Sequence, residues 1–461
     1  MQRLDGRDAF YLYQETPTVL MHTLKIHIVA AGHKLATMAE IRAGLQKRLG
    51  LLPMLRQRVV FVPFGFHHPV VINDPDFELD FHIRRAALPS PGGMKELNEV
   101  VAQIASEPLD RSCPLWQLWV LEGLEGGRLA IVQKIHHTLA DGVASVGFIG
   151  RAWLSEAAQE TASTWQPEAV PSATRLLWDA LVDHIKYDAR HFPVFIRTLV
   201  RNLRKLRQYK KSTGDTSGLT PLSASFPRTR FNYALSHKRS FSTTSIALDE
   251  VRALKTRLGG TVNDVILALV AGALRRYLLS HEELPDGPLS VTIPVAVDEA
   301  GVKRLSGNNV AHITSLLHVE IEDPIERFQA IQKATAAGKQ ELGMLGLTML
   351  GELMHYIPPG LSAWHSQRAF RKHLADRPDY RVMSNLTVSN VPGPREKLRG
   401  DGGEMESLYS IGPVVEGMGL NITAWSYVDQ VNFSALACEK AVPDIAYLTE
   451  SIQAAFEELR G

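Results

Sequence analysis

Residues 134–142 read KIHHTLADG and set His136 and His137 side by side, with three residues between the pair and Asp141-Gly142. An imidazole, with an unperturbed pKa of about 6.5, takes and returns a proton near neutral pH. Braced and accessible, it is a general base. The preceding run RLAIVQKI (128–135) reads as a strand, and neighbouring strand residues leave on opposite faces. One histidine of the pair therefore faces a given channel while the other packs underneath. Asp141 stands where it can pair with an arginine or accept backbone N–H groups. Gly142 supplies the small residue at which a turn becomes a helix.

Other chemistries lack their residues. Adjacent strand histidines diverge, and no nearby Cys or Glu completes a zinc set, so no metal site is read. No G-x-S-x-G elbow occurs, which speaks against a Ser-His-Asp hydrolase. A second pair, His67 and His68 in FHHPV, lacks the Asp-Gly and the strand-to-helix context and reads as a surface pair.

The elements that must position the first pair read as mixed α/β. TLKIHIVAA (23–31) alternates like a strand, and MAEIRAGLQKRLG (38–50) has helical spacing with Gly50 as its stop. GVASVGFIGRAWLSEAA (142–158) opens a helix directly after the pair. Two polar stretches, 159–174 and 210–225, bracket helical segments interrupted by Pro193. A second α/β unit follows, with a long helix over 262–280 and a final one over 443–460. The divisions expected are 1–160, a linker over 161–239, and 240–461.

Length and composition fit this. A chain of 461 residues with 45% hydrophobic and 21% charged residues is an ordinary globular protein of two to three domains. A net charge of +1 gives no overall pull toward nucleic acid or an anionic membrane. Cys113 and Cys438 are too far apart to suggest a disulfide scaffold and suit a reducing compartment. No apolar region follows the charged N-terminus, and VILALVAGAL (265–274) is too short to span a bilayer, so a cytoplasmic protein is expected.

HHxxxDG after a strand resembles the signature of the CoA-dependent acyltransferase superfamily. The surrounding text, PLDRSCPLWQLWVLEGLEGGRLAIVQKIHHTLADG (108–142), is similar to bacterial wax ester synthase/diacylglycerol acyltransferases. So are LPMLRQRV (52–59), DFELDFHIRR (76–85), TVNDVILALVAGALRRYL (261–278), GNNV (307–310) and SNVPGP (389–394), in the family's order. The resemblance covers nearly the whole chain. Cys113, Val71, Thr138, Ala296 and Asp298 depart from it, and Asp298 reverses a charge.

The resemblance implies two chloramphenicol-acetyltransferase-like subdomains with a tunnel between them and His137 near its middle. Acyl-CoA is then a substrate, no cofactor or metal is needed, and diacylglycerol or a fatty alcohol is the acceptor. His137 takes the hydroxyl proton, with His136 and Asp141 in support. Asn263 is either an oxyanion donor or the cap of its helix. Trp116 and Gly142 are substrate-side candidates, with core packing the alternative for Trp116. Asn390 belongs to a bridging loop.

One further segment bears on location. FIRTLVRNLRKLRQYKK (195–211) sets Ile196, Leu199, Leu203 and Leu206 on one stripe among Arg197, Arg201, Arg204, Lys205, Arg207, Lys210 and Lys211. Such a helix lies on an anionic membrane or lipid-droplet surface, or else packs on the body with its charges solvated. The expected protein is a cytoplasmic, peripherally membrane-associated acyltransferase making triacylglycerol or wax ester, with no nucleic-acid partner. The alternatives are a condensation-type enzyme using a carrier-protein thioester and a non-catalytic lipid-surface binding protein.

Overall fold

The computed structural model describes residues 1–30, 37–153, 165–213, 225–297, 304–346, 349–400 and 403–461. In chain order its strands are β1 (Gln2–Arg3), β2 (His22–Val29), β3 (Gln57–Val60), β4 (Val70–Asn73), β5 (Ile83–Ala87), β6 (Trp116–Leu124) and β7 (Arg128–His136). The second half adds β8 (Arg239–Ala247), β9 (Leu289–Ala296), β10 (Val310–Leu317), β11 (Leu386–Pro392), β12 (Arg399–Gly400), β13 (Gly403–Ile411), β14 (Leu420–Tyr427) and β15 (Gln430–Cys438). They form a small sheet, β1-β4-β3, and two six-stranded sheets, β12-β13-β2-β7-β6-β5 and β10-β9-β11-β14-β15-β8. Both large sheets are mixed. β5 runs parallel to β6, and β11 runs parallel to β9 and β14, among otherwise antiparallel pairs.

The two sheets share chain. After β11 the polypeptide crosses to the first sheet, pairs β13 with β2 (Ile411 opposite Leu24, Ser407 opposite Ile28), and returns to the second as β14. The unit drawn over 240–461 thus lends an edge to its neighbour. The division set at 160/161 lies outside the described residues, as does Asp298.

β2 is buried at every position because both of its faces are covered. Leu24, Ile26 and Ile28 join a first core with Leu97, Val101 and Ile104 of helix Met94–Ser106 and with helix Val262–Ser280. Val29 faces a second core with Ile131, Ile135, Trp116 and Trp425. Helix Val262–Ser280 starts at a Thr261–Asp264 capping box and is buried on all sides from Asp264 to Leu274. No single described helix is long and apolar enough to cross a membrane. The bent pair Leu248–Leu258 and Val262–Ser280 passes by composition only.

Two expectations change here. SNVPGP is a loop only in its second half: Ser389 to Pro392 end β11, with Asn390 opposite Ala424 of β14, and Gly393 and Pro394 begin the connection to the first sheet. Pro193 does not break its helix, which runs Ala189–Thr213. The π-type turn His184–Asp188 just before it widens the backbone where the proline's missing N–H and bulky ring need room. On that helix Leu206 is buried, Leu199 and Leu203 are half-buried, and Phe195 packs on Tyr356 at 4.9 Å. Most of the predicted apolar stripe is therefore turned to the body. Ile196 and Val200 stay exposed among Arg197, Arg201, Arg204 and Lys205.

Candidate active site

β7 ends at His136, and the pair separates as strand geometry requires. His136 is buried, its Nδ1 accepts from Thr138 N at 3.1 Å, and its Nε2 faces Glu15 Oε1 at 3.2 Å. Glu15 also accepts from Met21 N and from Arg111 Nε, each at 3.0 Å. Burial works against the Glu15 charge, yet His136 and Arg111 hold its carboxyl down at about 2. His136 is thus a brace.

His137 is half-buried. Its backbone N–H donates to Met21 O at 2.7 Å, and its ring lies flat on Tyr11, centroids 4.1 Å apart and 13° from parallel. Nδ1 meets Asn308 Oδ1 at 2.9 Å. Asn308 Nδ2 donates to Asp8 Oδ1 and to His137 O, both at 2.8 Å. With its amide hydrogens so committed, Asn308 presents only its oxygen to the ring, so His137 Nδ1 carries the proton and Nε2 carries the lone pair. Burial, helped by the nearby Lys25 charge and opposed by Asp141, pushes the imidazole down to about 4. The ring is neutral at physiological pH, as a base must be. Burial, with Asp5 adding to it, pushes the Asp8 carboxyl up to about 6 against the pull of Asn308.

Asp141 holds the turn rather than the imidazole. Its Oδ2 accepts from Arg304 Nη2 at 2.6 Å and from Asn309 N at 2.9 Å, and its Oδ1 accepts from Ala144 N at 2.9 Å, at the start of helix Gly142–Trp153. Segment 304–309 lies along the turn, with Gly307 N donating to Leu139 O at 2.7 Å. Gly307 has φ +79°, and a Cβ there would stand 3.5 Å from Asp8 Oδ2. The positive φ, and not want of room, is what calls for glycine there.

The remaining sequence candidates divide. A Cβ on Gly142 would meet Val391 Cγ2 at 3.1 Å, so Gly142 lets the helix start approach β11 beside Asn390. Trp116 donates to Leu55 O at 2.8 Å and stacks on His82 at 4.4 Å, as a member of the second core. Asn263 sits half-buried in the first turn of its helix, but Thr261 is the cap, so the capping alternative for Asn263 is excluded. None of the His137 contacts above involves it. Among the described residues no cluster of three or more His, Cys, Asp or Glu side chains could hold a metal ion.

His67 and His68 correct a further expectation: both are buried. His67 stacks on His184 at 4.2 Å, and His68 Nδ1 meets Tyr13 OH at 2.8 Å. Sheet β1-β4-β3 and helix Met349–Tyr356 cover the pair, which a local reading of four residues has no means to foresee. Beside it a cavity of about 480 Å³, lined by Arg3, Asp8, His67, Thr138, Gly307 and His355 among others, reaches the back of the HHxxxDG turn.

GNNV stands out in the sequence, but nothing local gives Asn308 a role or marks Asp8, Tyr11 and Arg304. The doubled asparagine was the one available signal.

An HHxxxDG turn between two mixed sheets that exchange strands defines a CoA-dependent-acyltransferase type of fold. Residues 4–266 match the wax ester synthase/diacylglycerol acyltransferase catalytic domain, and 306–460 match the C-terminal domain of the same proteins. A Mycobacterium tuberculosis protein whose name gives diacylglycerol O-acyltransferase as an inferred activity is 37% identical over 467 residues, covering 100% of this chain and 96% of that protein. A second one from that organism is 35% identical over 463 residues, with coverages of 100% and 97%. The chain belongs to the wax ester synthase/diacylglycerol acyltransferase family. In fold it is similar to the Marinobacter aquaeolei wax ester synthase/diacylglycerol acyltransferase, with a TM-score of 0.68, 24% identity and coverages of 100% and 99%. The first condensation domain of the calcium-dependent antibiotic synthetase gives a TM-score of 0.59 at 14% identity, covering 100% of this chain and 97% of that one.

Asn308→Ala is expected to cut kcat by about tenfold or more, with KM little changed, because the base loses the contact that fixes its tautomer. Asp141→Asn should lower Tm and leave the acid limb of the pH–rate profile at or below its parent position, since the carboxylate raises His137's proton affinity. An acid limb that moves upward with Tm unchanged would instead put Asp141 in the proton transfer.

Proposed function

We propose that this chain is an acyl-CoA-dependent O-acyltransferase that transfers a long-chain acyl group to diacylglycerol or a fatty alcohol, giving triacylglycerol or wax ester. The observation that carries the reading is His137 Nδ1 at 2.9 Å from Asn308 Oδ1, with both Asn308 amide hydrogens committed elsewhere, which leaves the Nε2 lone pair to act as base. Family membership over both catalytic and C-terminal regions supports acyl transfer to such acceptors.

The reaction follows from the tautomer. The acceptor hydroxyl gives its proton to His137 Nε2 as its oxygen bonds to the thioester carbonyl carbon. The tetrahedral oxyanion collapses, the C–S bond breaks, and the imidazolium returns the proton to the leaving thiolate. Bonds and charges balance with no acyl-enzyme and no added cofactor. A placed base of this kind contributes about 10²–10⁴-fold. Asn263 remains a candidate for the oxyanion, which wants a preorganised donor.

The site works on water-insoluble acceptors, so we also propose peripheral attachment to the cytoplasmic membrane face and lipid droplets. Exposed Ile196, Val200, Arg197, Arg201, Arg204 and Lys205 support it, with the helix held to the body by Phe195 and Leu206.

Purified protein given palmitoyl-CoA and a panel of diacylglycerol, hexadecanol and short-chain alcohols should release thiol and form the matching ester, and His137→Ala should lose nearly all of it. No ester with any acceptor, or product only from carrier-protein thioesters, contradicts the reading. Changing Arg201, Arg204, Lys205 and Arg207 to Gln should weaken binding to anionic vesicles at low salt while detergent-dispersed substrate is still turned over. Equal vesicle binding by both proteins would mean that this helix face does not dock.

A further inference from the structure

β2 carries a buried lysine, set between Thr23 and His27 on the face opposite its apolar residues. Leu24, Ile26 and Ile28 fill the first core, and the opposite face of the strand carries Thr23, Lys25, His27 and Val29. Register across the first sheet sets Leu118, Gln133, Lys25 and Ser410 in one row, with Trp116, Ile135 and Thr23 in the next. His137 continues that same face two residues beyond Ile135, its N–H bonded to Met21 O in step with the β2–β7 ladder. Lys25 thus lies on the sheet face that His137 continues, near enough for its charge to act on the imidazole.

The Lys25 side chain is buried, with the residue only 4% exposed. Nζ donates to Ser410 Oγ at 2.8 Å and lies 5.2 Å from the Trp425 ring centroid. Among the described residues no carboxylate stands within ion-pair distance of it. The titratable groups around it are His27 on its own strand, His137 and Asp141 at the end of β7, and, through His137 and Asn308, Asp8 and Tyr11 of helix Gly6–Gln14. A buried cation with one neutral hydrogen-bond partner is costly to hold, and methionine would fill the same space without that cost. Such a charge is of use where a negative charge appears in turn.

We propose that Lys25 is an electrostatic element of acyl transfer, its ammonium steadied by Ser410 and stabilising the negative charge that grows on the thioester oxygen as the acceptor attacks. The proposal rests on the acyl-transfer reading above. In its protonated form it gives the reaction a positive charge in low-dielectric surroundings, where such charges act most strongly. Burial, opposed by Asp141, pushes the amine down to about 7. Below that pH the amine is charged and active, and above it the stabilisation is lost.

The test is Lys25→Met in the full chain, assayed with palmitoyl-CoA and a soluble alcohol. We expect kcat to fall about tenfold or more with KM for palmitoyl-CoA within about twofold. The Tm should be unchanged or raised, because an unpaired buried charge has gone. The alkaline limb near pH 7 in the parent's kcat/KM profile should disappear in Lys25→Met and shift upward in Lys25→Arg. A Lys25→Met variant with parental kcat and the same alkaline limb overturns the proposal. A variant less stable than the parent, with Lys25→Arg equally impaired, overturns it too by making the lysine structural. A parent without acyl transfer to any acceptor removes the acyl-transfer reading itself, whereas an active parent indifferent to Lys25 removes only this inference.

Discussion

The architecture of the site depends on the side-chain amide of Asn308. It joins three parts of the chain remote in sequence: helix Gly6–Gln14 through Asp8, the HHxxxDG turn through the ring and carbonyl of His137, and the approach to β10 on which it sits. Both amide hydrogens are committed, and that fixes the oxygen toward His137. From this one constraint follow the ring tautomer and the lone pair on Nε2, on which the proposed role of base rests. Tyr11 stacked on the ring removes its remaining freedom. Asp141 and Arg304 act at one remove, since they hold the two backbone segments that bring Asn308 to the histidine.

Burial then sets the charges. His137 is driven below its ordinary value and His67 to about 2, while Asp8 is raised to about 6. A histidine whose folded pKa is depressed contributes stability that is fully present above the unfolded pKa of about 6.5 and is lost as pH falls toward the folded value. For His137 that window runs from about 6.5 down to about 4. The same burial that keeps the base neutral in its working range makes the fold sensitive to acid. This is the usual cost of placing a titratable group where its proton affinity must be tuned.

How much of this could be read in the sequence follows from how local each signal is. His137, Asp141 and Gly142 fall within six residues, and strand parity alone separates His137 from His136. The long apolar run after Thr261 reads as a buried helix for the same reason. Asn308 lies 171 residues from His137, Arg304 lies 163 from Asp141, and Asp8 lies 300 from Asn308, and those pairings exist only in the folded chain. Period-two patterning finds β13 but cannot say which sheet it joins. His67 and His68 read as exposed because what covers them, helix Met349–Tyr356 and β1, is distant in sequence. Pro193 misled for the opposite reason: a local rule was right about the proline and blind to the π-type turn beside it.

The central claim is that His137 rests as a neutral imidazole with its proton on Nδ1. Nitrogen-15 NMR of the histidine-labelled protein, with His137 assigned from the His137→Ala spectrum, observes both the tautomer and its titration. An Nδ1–H signal with a bare Nε2, persisting as pH is lowered until about 4, is expected. An Nε2–H tautomer, or a ring that protonates near the unperturbed value of about 6.5, would contradict it.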